Sequence, residues 1–383
     1  MRYLGLLPVL ATAFAMSVAN AQDNTAFTPG TAVVTGFSGI KTSDPPSASG
    51  DTLAETFIDP DGTSAQLLTL RPGAPAQGQT VKTPPVLAIK ARDIGQVFSI
   101  TLDDAERTEA TPSAPNIYLG ASSAFGLQIV VPDADNNGRP ERTKKGRPDA
   151  QWMAGQLGTG GTPGSIYKID GKTGAVALFA TIQGNSGPGL GDIVFDRATR
   201  QFFVSDLDTG LIHRLDETGK PIDTFDHGVT GRPAGGLSPV GDDGMVMDIR
   251  SPAFDSENSS TWGLTQAERR VWGLGLRAGR LYYAADAGPE IWSVSINLDG
   301  SFGDDPRREI TVSGTPGNHP ISDIAFDAQD HMYVAQRGGI KGSYDYYAFT
   351  EAKQSVVFRF RREIPDDPAT PGIWVPIPDE YAV

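Results

Sequence analysis

The chain contains no cysteine and only 4 histidines among its 383 residues. It therefore holds no disulfide and no thiolate metal site, which excludes a stapled miniprotein, a cysteine hydrolase and a zinc ribbon. Cations are also scarce. Lysine and arginine total 32 against 46 acidic residues, a formal net charge of −14, and such a balance argues against binding to a phosphate backbone, where clustered cations carry the affinity. After residue 21 no run approaches the roughly 18 to 20 apolar residues that cross a bilayer. Also missing are a Gly-x-Ser-x-Gly elbow, a Walker loop, a dinucleotide fingerprint and a His-Glu-x-x-His helix. The glycine-rich stretch Gly155 to Gly161 follows no strand and opens no helix, so it reads as a loop.

The N-terminus carries Arg2, the apolar run Tyr3 to Val18 and then Ala19-Asn20-Ala21. That is the order of a signal peptide, with cleavage expected after Ala21. The mature chain, 22–383, is expected to be a single soluble domain, periplasmic or secreted. Its 45 glycines and 29 prolines make it turn-rich, yet they stay below the share of roughly 25 to 30 per cent that marks low-complexity disorder.

Short strand pairs recur. GDIVFD (191–196) precedes QFFVSD (201–206), WGLGLR (272–277) precedes LYYAAD (281–286), SDIAFD (322–327) precedes HMYVAQ (331–336), and FSITLD (98–103) precedes NIYLGA (116–121). A third strand follows each: SIYKID (165–170), LIHRLD (211–216), EIWSVS (290–295) and VVFRFR (356–361). In one unit a fourth begins at Pro221. Four short antiparallel strands per unit is a propeller blade. At roughly 40 to 50 residues per blade, the interval from Asp196 to Arg277 conceals a further blade, with Gly244 to Asp248 as a strand. This gives five blades between about 95 and 362. Thr31 to Phe37, Ala65 to Leu70 and Gly372 to Ile377 are expected to build a sixth, closed by strands from both termini, which removes exposed sheet edges.

The pattern of Gly191 to Asp216, an apolar run ending in Asp, a Val-x-Asp strand end and then Gly-x-Ile-x-Arg-Leu-Asp, resembles the blades of the NHL, gluconolactonase-like and streptogramin-lyase-like propellers. The resemblance implies a six-bladed all-β propeller. The lyases rely on a His-x-Glu-x-His constellation, whereas His213, His227, His319 and His331 stand apart here, which argues against lyase chemistry.

In a four-stranded blade the loop between strands two and three shares a face with the link to the next blade. The long segments 122–164, 250–270 and 337–355 therefore all fall on one face, and long ordered loops carry function. The first contains Asp133-Ala-Asp135-Asn-Asn137-Gly138, which supplies three calcium-loop ligands and a turn glycine, but its twelfth position is Lys144 where a bidentate Glu is required. Asp/Asn/Gly turns are common without metal. Lys144, Lys145, Arg147, Arg139 and Arg142 form a basic run, read either as a solvated loop or as an anion-attracting rim. Tyr344, Tyr346 and Tyr347 suit a wet recognition surface, or pack their loop against its blade. Arg250 adds a cation to that face. Asp206 and Asp286, at strand ends, read as turn-fixing groups because they recur from blade to blade.

Asp192 and Asp323 stand in register just before the apolar part of two first strands, where fold symmetry places them at equivalent radii near the axis. The third unit has Gly273 there. Two carboxylates so placed repel unless a cation or a donor such as Arg250, Arg337 or His319 lies between them, or else each bonds to backbone N–H groups. Calcium is the cofactor this implies. Two functions follow: a binding module for a small polar ligand, a carbohydrate or a protein on the loop-rich face, or a calcium-dependent hydrolase of the gluconolactonase type. A quinone-dependent sugar dehydrogenase is a third that the architecture accommodates.

Overall fold

The computed structural model describes residues 30–42, 52–70, 84–104, 114–133, 136, 138–314, 317, 319–351, 353–363 and 372–377. Among these the chain is built from short strands, and the longest helical stretch is the π-turn His227–Gly231 continued by Arg232–Ala234. The N-terminal part forms β1 (Thr31–Thr35), β2 (Ile40–Thr42), β3 (Thr56–Ile58), β4 (Thr63–Thr69) and β5 (Leu87–Lys90), then the single turn α1 (Ala91–Ile94). A four-stranded blade follows from β6 (Val97–Leu102) and β7 (Ile117–Ala121). Its chain leaves through β8 (Ile129–Val131), β9 (Glu141–Thr143) and β10 (Gln151–Trp152) before returning as β11 (Ser165–Ile169) and β12 (Val176–Thr181). The next blade is β13 (Leu190–Asp196), β14 (Gln201–Asp206), β15 (Leu211–Leu215) and β16 (Pro221–Asp226). Two more follow: β17 (Val271–Arg277), β18 (Arg280–Ala285), β19 (Glu290–Ser295) and β20 (Arg307–Thr311), then β21 (Ile321–Phe326), β22 (Met332–Gln336), β23 (Val356–Arg362) and β24 (Trp374–Pro376).

The expected propeller is present, with two corrections to its count. Among the described residues between 95 and 362 there are four blades where five were expected. Gly244 to Asp248 forms no strand, because Asp242 and Asp243 turn back on the N–H groups of Gly244 and Met245 (3.0 Å each) and leave no free ladder. Gly372 to Ile377 does not pair with the N-terminus either. It supplies β24, the outer strand of the last blade, bonded to β23. The remaining radial sheet is β1–β4–β5, so among the described residues five sheets rather than six surround the axis. One cavity of about 610 Å³ is lined by β1, β6, β13, β17 and β21 together, which identifies the channel.

Each of the four inner strands carries the same irregularity. Pairing with the second strand slips between Val97 and Ile100, Leu190 and Ile193, Val271 and Leu274, and Ile321 and Asp323. A bulge sharpens twist and re-aims the side chains it contains. Here it aims Asp192 at the neighbouring blade, and Ser99, Gly273 and Asp323 hold the equivalent positions of the other three strands.

β1 breaks this symmetry. Thr35 Oγ1 donates to Phe98 O at 2.9 Å, and Ser38 N approaches Gln96 Oε1, so the end of β1 meets the start of β6. Thr31 to Val33, at the start of β1, line the same channel end as Ile100 to Leu102. β1 therefore runs against the other inner strands. Its sheet has the directions of strands two, three and four of a blade, and β1 takes the channel-lining place of a first strand absent from the described residues.

Apolar side chains between adjacent blades form the core, with Ile193, Phe202 and Leu215 in one seam and Leu274, Tyr283 and Trp292 in the next. At roughly 1.5–3 kcal/mol for each fully buried large side chain, these seams are the main favourable term of the fold.

Candidate functional site

Asp192 sits at the β13 bulge and is buried. Its Oδ1 accepts the N–H of Ile193 (2.8 Å) and its Oδ2 the N–H of Leu274 on β17 (2.9 Å). Ser205 Oγ completes the joint, accepting from Asp192 N (2.8 Å) and donating to Trp272 O (2.6 Å). Of the two roles open to this residue, the backbone one is therefore fully taken up. Burial, and after it the charge of Asp323, push the Asp192 carboxyl well above its usual range.

Asp323 occupies the equivalent bulge of β21, and its carboxylate likewise takes the N–H of Ile324. It is exposed, and so is Ala325, two residues along, which lines the channel mouth. The protein around it desolvates the carboxyl and raises it too. Among the described residues no second donor reaches it. The neighbour that should supply one in the way that β17 serves Asp192 is β1, and β1 runs the wrong way. Between the two carboxylates lies Gly273, where a Cβ would stand 2.7 Å from Asp323 N and 2.9 Å from its Cα. No side chain fits there, which accounts for the break in the acidic pattern.

Calcium takes six to eight oxygens. Both oxygens of Asp192 are engaged by N–H groups, and no cluster of three or more His, Asp or Glu that could hold a metal occurs among the described residues. The channel residues in their present arrangement do not fit the ion. In the first insertion Asp133 is half-buried, while Asp135 and Asn137 lie outside the described residues.

The donors expected between the two carboxylates are elsewhere. Arg337 is buried at the loop side of the channel. It donates from Nη2 to Ala124 O (2.7 Å), and its guanidinium lies 5.7 Å from the Phe98 ring and 6.0 Å from that of Trp272. Burial lowers its pKa to about 10. Reaching from the last blade to β6 and β17, it lies across that end of the channel. His319 Nε2 contacts Gln354 Oε1 (2.6 Å) and Glu351 Oε2 (3.1 Å), inside the third insertion. Arg250 is exposed on the loop-rich face.

Tyr344 and Tyr346 are buried and take the packing role, not the surface one. Tyr346 stacks on Phe37 (5.5 Å between centroids), and its hydroxyl donates to Thr56 O (3.0 Å). Arg142, expected in a solvated basic run, lies instead between the two tyrosines, 4.3 and 4.1 Å from their rings, and donates to Gln128 Oε1 (2.7 Å) and Tyr344 O (2.6 Å). Glu257 accepts the N–H groups of Ser343 (2.8 Å) and Tyr344 (2.6 Å), and Lys145 pairs with Asp255 (2.7 Å). The three long segments thus interlock on one face. Their own apolar cluster includes Leu127, Met247, Phe254 and Trp262. Tyr347 alone of the three tyrosines is exposed, at 89 %.

Where the first insertion meets the stretch 247–250 there is an open cleft of about 410 Å³, whose walls include Gln151, Trp152, Ser186, Asp248 and Arg250. Asp248 Oδ1 accepts Arg250 N (2.9 Å), and Ser186 Oγ accepts Met247 N (2.8 Å), which fixes this wall. Sequence reasoning found Arg250 but missed Trp152 and Gln151. Their strand, β10, has two residues and carries no periodicity. Asp206 is a turn fixer as expected, taking Asn185 Nδ2 (2.6 Å), Asp208 N (3.0 Å) and Thr209 Oγ1 (2.7 Å).

No protein-family model matches the chain, and no curated protein sequence does. Among solved structures it is similar to a calcium-binding protein, regucalcin, from Agrobacterium tumefaciens (11% identity, 71% of this chain and 72% of that one, TM-score 0.33). It is similar also to a gluconolactonase from Xanthomonas campestris (12%, 70% and 83%, 0.31). A third similarity is to the PQQ-bound form of an aldose sugar dehydrogenase from Streptomyces coelicolor (13%, 86% and 97%, 0.32).

Proposed function

We propose that this propeller is an exported binding module that holds a carbohydrate or similar polyhydroxylated ligand on its loop-rich face. The observation that carries the reading is the cleft of about 410 Å³ in which Trp152 stands beside Gln151, Ser186, Asp248 and Arg250. A half-buried indole offers a flat apolar platform to a sugar ring, while the carboxylate, amide and guanidinium supply directional hydrogen bonds around it. Interlocking of the insertions makes the wall rigid, so binding orders few side chains and loses little affinity to entropy.

The hydrolase alternative requires Asp192 to release one of its two backbone donors before a metal is gripped, and the cleft reading requires no rearrangement. Export is inferred from the leader, whose residues lie outside those described; N-terminal sequencing of protein recovered from outside the cytoplasm should begin at Gln22.

Calorimetric titration with a panel of neutral and acidic oligosaccharides tests the binding reading. At least one member should bind the full mature chain, and Trp152→Ala should abolish that binding in a chain that still unfolds cooperatively, at some cost in thermal midpoint because the indole also packs on the Phe254 and Trp262 cluster. Binding that survives both Trp152→Ala and Arg250→Ala, or no binding across the panel, overturns it.

A further inference from the structure

The face opposite the insertions opens into the channel. Its mouth, about 610 Å³, is walled by the far ends of the inner strands, with Ile100, Val194, Leu276 and Ile324 among its apolar residues and Arg197 at its rim. Ala325 lines this space and is exposed in it. Side chains alternate along a strand and those two residues apart share a face, so exposed Asp323 stands one pleat deeper, about 7 Å farther in. Arg337 lies across the loop-side end beyond it and is not within ion-pair distance of it. The channel thus has an apolar mouth on this face, and Asp323, which does not line the mouth itself, stands deeper along its β21 wall.

That carboxylate has acceptor capacity to spare for a stated structural reason. Asp192, its symmetry mate, is saturated by two backbone donors, one from the next inner strand. Among the described residues Asp323 has the first of these donors only, because the next inner strand, β1, is reversed. We propose that the channel is a binding site for a small organic ammonium ion with an apolar body, whose N–H donors complete Asp323 and whose body lies along the apolar wall.

A metal ion is the weaker occupant, since one free carboxylate does not approach six oxygens. The net charge of −14 favours entry of cations in general. At the rim the Arg197 guanidinium makes no ion pair among the described residues, so the outer end of the ligand is neutral or anionic. An ω-amino acid fits both ends. This site is separate from the loop-rich cleft, and its failure leaves the carbohydrate reading untouched.

The test uses full mature chain and five probes: hexylamine, 6-aminohexanoate, hexanol, hexanoate and calcium chloride, each titrated by calorimetry. The two ammonium probes should bind, 6-aminohexanoate at least as tightly as hexylamine, and Asp323→Asn should weaken both by roughly tenfold to a hundredfold, the worth of one charge-assisted hydrogen bond. Trp152→Ala should leave them unchanged. As a second variant, Ala325→Leu narrows the mouth without touching the carboxylate and should weaken both ammonium probes. Hexanol binding as well as hexylamine, calcium displacing the amines, or amine affinity retained in both Asp323→Asn and Ala325→Leu would each overturn the proposal.

Discussion

Two junctions of the ring carry the same residue at the same bulge and use it differently. Between the β13 and β17 blades, Asp192 ties inner strand to inner strand through backbone N–H groups. Between the β21 blade and the β1 sheet, Asp323 has no strand to tie, and the ring is held there from outside, by Phe37 against Tyr346 and Phe349 and by Arg142 between Tyr344 and Tyr346. Sequence symmetry is therefore a guide to position and not to role. What a side chain does at a repeated position depends on the direction of the strand beside it.

The loop-held seam gives the largest expected effect. Tyr346→Ala should cost about 3–5 kcal/mol in urea unfolding, the range for a large core aromatic, whereas Tyr347→Ala, at an exposed position on the same loop, should change stability by less than about 0.5 kcal/mol. Equal losses would show that the seam is not closed by the buried ring. Next comes Gly273→Ala. Its Cβ would meet the backbone of Asp323 at 2.7 Å, so β17 and β21 must part, at about 1–3 kcal/mol. Gly241→Ala is the control, because a Cβ there meets nothing within 4 Å, and it should be neutral or slightly stabilising.

The smallest effect is a pH slope. The folded carboxyls of Asp192 and Asp323 both lie above the ordinary 3.8, so folding takes up protons at these sites. The stability they contribute is complete below that ordinary value and is lost as pH rises through their folded values. Asp323→Asn removes one of the two groups and lowers the other, so the mutant should lose less stability than wild type between about pH 4 and neutrality. An unchanged slope would dissociate the pair.

Much of the architecture was legible from residues. The pair 191–196 and 201–206 alternates apolar residues between turns, and it folds as β13 and β14 almost to the residue. Topology alone also placed the three long segments on one face, since the order of strands in a blade fixes where its loops emerge. Gly244 to Asp248 misled because Met-Val-Met is strand-like in composition, while the turns made by Asp242 and Asp243 just before it decide the backbone. The in-register carboxylates were legible, but their fates were not. Those depend on β1 running backward, which no local pattern in Thr31 to Thr35 encodes. Tyr344 and Tyr346 were equally opaque, because their partners Phe37, Thr56 and Arg142 are hundreds of residues away and reach them only once the ring is closed.

The claim that β1 is reversed and leaves Asp323 unclamped is tested most directly by comparing two isosteric changes, Asp192→Asn and Asp323→Asn, in equilibrium urea unfolding at neutral pH. Asp192→Asn places an NH₂ group against a backbone N–H that has no other acceptor and should destabilise by about 1–3 kcal/mol. Asp323→Asn breaks no strand-to-strand bond and removes the charge that repels Asp192, so it should stabilise. Opposite signs are the predicted result; losses of the same sign and size at both positions would contradict the account.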